Sequence, residues 1–242
     1  MPRFFIDYKP AVGDTAVIEG ADARHIAGAL RMTPGEGLTL CDGAGTDYVC
    51  VISAVERERV TLSVEAAAPT ASEPTLAVTL YMGLPKGDKM ELILQKAVEL
   101  GVTAIVPVTT ARSIVRLDAK DAAKKQARWQ KIAHEAAGQS GRGILPVVET
   151  PITWKQALTR FEKENTLLCY EGGGQPIGKL VSPADTAVSL VVGPEGGFDP
   201  AEVEAVTAIG GKIATLGPRI LRCETAPIAA LAVLMEKSGN ME

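Results

Sequence analysis

The fold is indicated most directly by the stretch Val188-Ser189-Leu190-Val191-Val192-Gly193-Pro194-Glu195-Gly196-Gly197-Phe198-Asp199-Pro200-Ala201-Glu202. Its first five residues are apolar apart from one serine, which predicts a buried strand. Its last four predict the start of a helix, because they combine a capping acid, a proline at the first helical position and a glutamate at the third. A strand joined to a helix by a short loop is typical of a parallel α/β sheet.

The same alternation extends in both directions from this stretch. Apolar runs at 76–82, 103–108, 166–170 and 213–216 predict strands, and segments 88–100, 118–139 and 224–237 predict helices. A further helix begins at Thr153, where Gln156 completes a capping-box pattern. Strands alternating with helices imply a parallel sheet covered on both faces, with ligands bound outside the carboxyl ends of its strands.

The first 70 residues show a different pattern. Short β-prone runs at 15–18, 38–41, 48–52 and 60–64 are separated by glycine-containing turns, and one short helix fits Asp22–Arg31. We expect a small β-barrel, because closure removes exposed sheet edges. Residues 66–74 are typical of a linker, so the predicted domains are 1–70 and 74–242.

Composition restricts the class of protein. The chain has 242 residues, of which 46% are hydrophobic, and its net charge of −4 argues against nonspecific coating of nucleic acid. Residues 1–72 hold 6 basic and 10 acidic side chains, so any RNA contact has to use local patches. The 4 cysteines form no Cys-x-x-Cys pair. We expect a reduced, cytosolic protein with no targeting segment, no membrane span and no metal site.

Three glycine-containing loops follow predicted strands. They are Leu168–Gly174, Val192–Gly197 and Leu216–Arg222. Each loop alone also fits a tight turn between a strand and a helix, and none carries the Gly-x-Gly-x-x-Gly dinucleotide fingerprint. Since all three follow apolar strands of one parallel-type domain, we predict that together they surround a small ligand, mostly through backbone groups.

Charged residues at the end of the third loop are candidates for chemistry. Arg219 and Arg222 are also explained as surface charges, and Glu224 as a capping acid at the N-terminus of the last helix. The two histidines, His25 and His134, fall in different predicted domains. A Ser-His-Asp triad is therefore not expected.

Six motifs resemble the RsmE family of the SPOUT class, the 16S ribosomal RNA uridine N3-methyltransferases. They are Lys86–Glu91, Gln95–Val102, Gln130–Ala133, Glu135–Arg142, Gly193–Gly197 and Leu216–Thr225. Their joint order and spacing are specific, and the match covers nearly the whole chain. Cys223 departs from the family pattern, which has threonine there, and a thiol is the weaker hydrogen-bond donor.

The resemblance implies a C-terminal SPOUT α/β domain with a trefoil knot, an N-terminal PUA-like β-barrel that binds RNA, and a homodimer. It implies S-adenosylmethionine as the methyl donor and 16S ribosomal RNA of the small ribosomal subunit as the substrate. The residues expected to bind the cofactor are Leu168, Tyr170, Glu171, Gly193, Glu195, Gly196, Leu216, Gly217, Ile220, Leu221 and Thr225. Those expected to contact RNA are Arg3, Arg24, Arg31, Lys86, Arg112 and Arg142.

Arg222 and Glu224 are the predicted catalytic residues. Arg222 is expected to stabilise a uracil anion or to bind the flanking phosphate. Glu224 is expected to act as a base or to orient Arg222. Glu195 is the second candidate base, and the sequence does not distinguish between the two.

A long predicted helix offers a second cationic surface. Its cations form either a further RNA contact or an ordinary solvated face, and Trp129 is expected in a core or an interface. The cations are Lys120, Lys124, Lys125, Arg128 and Lys131.

Three other functions compete with uridine N3 methylation. One is a ribose 2′-O-methyltransferase of the same knotted class, and another is a noncatalytic RNA-binding protein that uses the barrel alone. The third is a nucleotide-dependent oxidoreductase, which the missing dinucleotide fingerprint disfavours.

Overall fold

The structure, a computed structural model, describes residues 1–241 and divides into two compact units. The first contains Met1–Glu73 and Ala137–Leu145, and the second contains Pro74–Ala136 and the chain from Pro146 onward. The predicted domains differ from these units in one respect. They assign residues 137–145 to the C-terminal domain, whereas the structure places this segment in the first unit.

Five strands and one helix form most of the first unit. They are β1 (Arg3–Phe5), β2 (Thr15–Glu19), α1 (Gly20–Arg24), β3 (Gly37–Cys41), β4 (Thr46–Val55) and β5 (Arg59–Pro69). The strand order is β1-β3-β4-β5-β2, with β1 parallel to β3 and the other pairs antiparallel. Alternate residues of every strand fill one apolar core, as expected for a small β-barrel unit.

Two predictions for the first unit need correction. The predicted linker begins too early, because Ala66, Ala67 and Ala68 continue β5 and pair with β4. The predicted helix Asp22–Arg31 is not one continuous α-helix. It passes into a π-helical turn at His25–Ala29, and Arg31 then takes a φ of 53°, which no right-handed helix continues.

The second unit alternates strands and helices as predicted. Its elements are β6 (Ala77–Gly83), α2 (Lys89–Glu99), β7 (Ala104–Thr109), α3 (Ala119–Ser140), β8 (Val147–Val148), β9 (Ile152–Thr153), α4 (Trp154–Phe161), β10 (Thr166–Cys169), β11 (Gln175–Pro176), β12 (Ala187–Val192), α5 (Pro200–Ala208), β13 (Lys212–Thr215) and α6 (Thr225–Lys237). The last four residues of α3 belong to the first unit.

The strands of the second unit form one parallel sheet. Its order is β11-β13-β10-β12-β6-β7-β8, and β9 also pairs with β7. The predicted parallel α/β architecture is therefore confirmed. Strand β10 lies between β13 and β12, and β6 lies on the other side of β12, so the carboxyl ends of these four strands meet at one edge of the sheet. The trefoil knot stays a prediction.

Local sequence explains where the helices begin. The predicted capping box at Thr153 is present, with Gln156 bonded back to it, and the predicted helix start at Asp199 also forms a capping box, with Glu202 bonded back to Asp199. Trp129 on α3 is 4% exposed, which confirms its predicted buried position.

Within the described residues, no helix combines the length and apolar character required to cross a membrane.

Candidate functional site

The three predicted loops come together at one edge of the parallel sheet. They follow β10, β12 and β13, which are adjacent in the order β13-β10-β12. The loops line a cavity of about 840 Å³. Its walls are Cys169–Gly173, Val192–Phe198, Thr215–Cys223 and Ala226. The cavity therefore lies where ligands bind in parallel α/β proteins, outside the carboxyl ends of the strands.

Glycine is required at two positions around these loops. At Gly83, the end of β6, an added Cβ would lie 2.7 Å from the backbone nitrogen of Pro194 and closer still to its ring. Gly217 has a φ of 103°, and a Cβ added there would meet nothing within 4 Å. The first glycine lets β6 pass directly behind the second loop, and the other gives the third loop a left-handed turn next to open space.

The third loop leaves backbone groups available to a ligand. Within residues 1–241, the amides of Arg219, Ile220 and Leu221 make no hydrogen bond to the protein. The loop's internal hydrogen bonds lie instead around Thr215 and Gly217. Free amides beside an apolar-walled cavity suit a ligand that carries both a flat heterocycle and polar edges. The residues present therefore fit S-adenosylmethionine, the cofactor that the resemblance implies.

A lysine outside the predicted site joins two of the acids inside it. The Lys89 ammonium lies 3.0 Å from Glu195 Oε1 and 3.4 Å from Glu224 Oε2. It is also 3.8 Å from the Cys223 sulfur, and the Cys223 thiol lies 3.2 Å from Glu224 Oε2. The backbone N–H of Lys86 donates to Glu195 as well, at 3.1 Å. Both candidate bases are thus held by cations or by hydrogen-bond donors.

These contacts keep both carboxyls ionised. Burial raises the pKa of Glu195, but hydrogen bonds from its own amide, the Lys89 ammonium and the Lys86 amide outweigh it, so the pKa lies below its ordinary value. Its own amide and the Cys223 thiol lower the pKa of Glu224, and the charge of Lys89 lowers it further. Burial raises the pKa of the Cys223 thiol to about 12, so that this group stays protonated.

Most of the predicted cofactor residues line the cavity. Leu168 and Thr225 do not, since Leu168 is fully buried in the core beneath and Thr225 begins α6. The lining residues are Tyr170, Glu171, Gly193, Glu195, Gly196, Leu216, Gly217, Ile220 and Leu221.

The two predicted catalytic residues are placed differently. Arg222 lines the cavity and is exposed, and no hydrogen bond or ion pair engages its side chain among the described residues. Glu224 does not line the cavity, because its carboxylate is directed to Lys89 and Cys223.

Two of the predicted RNA contacts are occupied inside the first unit. Arg142 is 3% exposed and pairs with Glu73 at 2.8 Å, and Arg3 makes a two-pronged contact with Asp47. A buried guanidinium that already binds a carboxylate has no free face for phosphate. The structure places Arg142 and Arg3 in ion pairs within the first unit, and their contact with RNA stays a prediction.

The other four predicted RNA contacts are exposed. Arg24 pairs with Glu58 at the surface, and Arg31 extends from its left-handed backbone position. In the second unit, Arg112 donates to the carbonyl of Gly196 at 3.1 Å. Lys86 lies beside Glu195 through its backbone. Arg112 and Lys86 thus border the second loop of the cavity.

The cation surface on α3 is exposed as predicted. Arg128 pairs with Glu91, Lys131 with Glu135, and Lys125 lies 5.7 Å from the centre of the Trp129 ring.

Among the residues the structure describes, no cluster of three or more His, Cys, Asp and Glu side chains is arranged to hold a metal.

Comparisons with known proteins agree with this geometry. A family profile described as "RNA methyltransferase domain" matches residues 72–235, and one described as "RNA methyltransferase PUA domain" matches residues 18–65. A curated relative from Bacillus subtilis, named ribosomal RNA small subunit methyltransferase E, is 38% identical over 97% of this chain and 96% of its own length. A relative of the same name from Mycobacterium bovis is 32% identical over 96% and 90%.

Solved structures show the same fold. A ribosomal RNA small subunit methyltransferase E from Neisseria gonorrhoeae, bound to S-adenosylmethionine, is 38% identical with a TM-score of 0.88, covering 98% of this chain and 97% of that one. A putative methyltransferase from Legionella pneumophila in complex with the same cofactor is 31% identical with a TM-score of 0.85, covering 97% and 96%. With a domain profile over most of the second unit and relatives matched along nearly their full length, this chain belongs to the ribosomal RNA small subunit methyltransferase E (RsmE) family.

Proposed function

We propose that this protein is an S-adenosylmethionine-dependent methyltransferase that methylates N3 of a uridine in 16S ribosomal RNA of the small ribosomal subunit. The observation that carries the proposal is the cavity formed by the loops after β10, β12 and β13. Support comes from relatives named as small-subunit ribosomal RNA methyltransferases and from a structural neighbour bound to this cofactor.

The cofactor would be held mainly by backbone groups. The free amides of the third loop, the side chain of Tyr170 and the glycines of the second loop line the space. When bound, S-adenosylmethionine supplies a methyl group that its positively charged sulfur has already activated. The protein's own task is then to orient the uracil ring and to exclude water from the reacting atoms.

Arg222 is suited to stabilise the negative charge that develops on uracil as N3 loses its proton. Its side chain is at the cavity wall and is free of protein partners among the described residues, so its guanidinium is available to substrate. A positioned cation in a partly closed site stabilises such charge without reorganisation.

The lowered pKa values of Glu195 and Glu224 make both poor general bases near neutral pH. Effective general bases titrate close to the working pH. We therefore assign both carboxylates to the support of the pocket loops and leave proton removal to solvent, assisted by Arg222.

Substrate RNA would be bound by exposed cations in both units. Arg24 and Arg31 serve in the N-terminal unit, and Lys86 and Arg112 border the second pocket loop. A uridine in a duplex hides its N3 in pairing, so the target base leaves its stack to react.

We further propose that the protein is a homodimer and acts in the cytoplasm, where ribosomal subunits are assembled. Exposed apolar side chains in the second unit support self-association. Ile220 is 84% exposed, Ile114 69% and Leu92 45%, and association with a second copy of the chain would cover apolar surface of this kind. Sedimentation equilibrium is expected to give twice the chain mass, and a single-chain mass would contradict the dimer.

Calorimetry with S-adenosylmethionine tests the proposed function. We expect one site per chain with micromolar or tighter affinity, and competition by S-adenosylhomocysteine. An absence of binding would favour a protein that binds RNA without catalysing a reaction.

A further inference from the structure

The segment between β6 and α2 contacts the pocket at several points, although none of its residues lines the cavity. The Lys86 amide donates to both oxygens of Glu195, at 3.1 and 3.4 Å, and Gly83 lies against Pro194. Lys89 then reaches from the start of α2 to Glu195 and Glu224 together. Lys89 is therefore in contact with two loops that are far from it in sequence, since Lys89 and Cys223 are 134 residues apart.

We infer, on the basis of the proposed function, that Lys89 is a positioning residue whose ammonium bridges Glu195 in the second pocket loop and Glu224 at the start of α6, and so fixes the spacing of the two loops. We term the group formed by Lys89, Glu195 and Glu224 the Lys89 bridge. Its members do not need to touch the reacting atoms.

The charges within the bridge explain why Lys89 matters more than an isolated surface ion pair. One cation faces two carboxylates, so its removal leaves two like charges opposed with no counterion between them. The Lys89 side chain is 33% exposed, Glu195 28% and Glu224 25%, so solvent screens the group only in part. Ion pairs that solvent reaches contribute little to overall stability, so we expect the bridge to act on loop spacing more than on folding.

The bridge is also stable over the working pH range. The groups that face Lys89 are Glu195 from the second loop and Glu224 and Cys223 from the turn before α6. The hydrogen bond to Glu195 raises the pKa of Lys89, and the pKa values of both carboxyls are lowered. The bridge therefore persists well above neutral pH and is lost only in acid, below the ordinary carboxyl range of about 4.3.

Lys89→Met removes the bridge and Lys89→Arg keeps its charge. A matched control is Lys96→Met, because Lys96 is on the same helix and pairs with Glu99, away from the cavity. For each variant, cofactor dissociation constants are measured by calorimetry, and kcat and KM for RNA are measured between about pH 3 and 9, so that the range includes the ordinary carboxyl pKa of about 4.3.

We expect Lys89→Met to raise the cofactor dissociation constant about five- to tenfold and to move the acid limb of the kcat profile upward in pH, because the pKa values of both carboxyls rise when the contribution of Lys89 is lost. The cofactor dissociation constant of Lys89→Arg is expected to stay within about threefold of the wild-type value, and that of Lys96→Met is expected to match wild type. If Lys89 acted on stability alone, the acid limb of the kcat profile would stay in place, and that result would overturn the inference. A Lys89→Met variant with the same cofactor affinity and kcat profile as Lys96→Met would also overturn it.

A double-mutant cycle between Lys89→Met and Glu224→Gln is a second test of the bridge that does not depend on the pH profile. The loss of cofactor affinity from Lys89→Met is expected to be smaller in the Glu224→Gln background, and additive losses would contradict the bridge. If wild-type protein binds no S-adenosylmethionine at all, the proposed function fails instead, independently of Lys89.

Discussion

Arg222 has three properties that make its guanidinium available to substrate. It lines the cavity, it is exposed, and no partner among the described residues holds it. Glu224, two residues later, has the opposite character, because Lys89 and Cys223 already engage its carboxylate. The two predicted catalytic residues therefore separate into one that is free to meet substrate and one that supports the loop.

Arg222→Ala is expected to reduce methyl transfer at least about a hundredfold while cofactor affinity stays within a few-fold of wild type, since the arginine acts on charge that develops only during reaction. Initial rates and calorimetry measure the two effects. Lys163→Ala, at an exposed cation outside the cavity wall, is the control. Unchanged turnover in Arg222→Ala would remove this residue from the mechanism.

Sequence reasoning identified Arg222 because it follows a loop whose pattern is specific. It did not select Lys89, which lies in the Lys86–Glu91 motif but resembles any lysine in a first helical turn. Its role depends on Glu195 and Glu224, which the sheet order brings to it from distant parts of the chain. Such a role becomes visible only when β6 and β12 are known to be neighbours.

At the scale of elements, the three pocket loops were predictable because each strand and each loop has a local signature. Apolar β-branched runs predict the strands, and glycines directly after them predict loops with close approaches. The order of the strands was not predictable in the same way, because it depends on long-range pairing. The β5 strand was predicted too short, since Ala66–Ala68 pair with β4 despite their low β-propensity.

Gly83→Ala tests the close approach of β6 to the second loop. An added Cβ would overlap Pro194, so we expect the free energy of unfolding to fall by about 1–3 kcal/mol and cofactor affinity to weaken with it. Denaturant unfolding and calorimetry measure the two quantities. Gly28→Ala is the control, because its Cβ would meet nothing within 4 Å and its φ is not positive. Equal behaviour of the two variants would contradict the described packing.

At the scale of the whole molecule, the first unit is discontinuous in sequence. Residues 137–145 belong to it because Glu73 accepts hydrogen bonds from the Arg142 side chain and from the amides of Gly143 and Ile144. Composition and periodicity give no sign of this arrangement, which places an arginine in a nearly dry environment. The same burial leaves Arg142 little surface for the RNA contact that the sequence predicts.

Glu73→Gln is expected to destabilise the protein by about 3–5 kcal/mol at neutral pH, because it leaves the Arg142 charge buried without its counterion. Burial raises the pKa of Glu73, but hydrogen bonds from Arg142, Ile144 and Gly143 outweigh it and lower the pKa. A lowered pKa means that the stabilisation is complete above the ordinary value of about 4.3 and is lost as the pH falls through the folded value.

The difference in unfolding free energy between wild type and Glu73→Gln is therefore expected to shrink as the pH falls below about 4. Denaturant titrations at several pH values measure it, with Glu162→Gln, at an exposed glutamate, as the control. A difference that does not depend on pH would show that the carboxylate charge of Glu73 is not what stabilises the segment.

The cavity at the carboxyl ends of β10, β12 and β13 is central to the proposed function, and one measurement tests it most directly. Purified protein is incubated with small-subunit ribosomal RNA, free or assembled, and S-adenosylmethionine with a labelled methyl group. The RNA is then digested and its nucleosides are analysed by mass spectrometry. We predict label in N3-methyluridine, and at least about a hundredfold less of it with Arg222→Ala. Label on a ribose 2′-oxygen, or no transfer to either RNA, would contradict the proposed function.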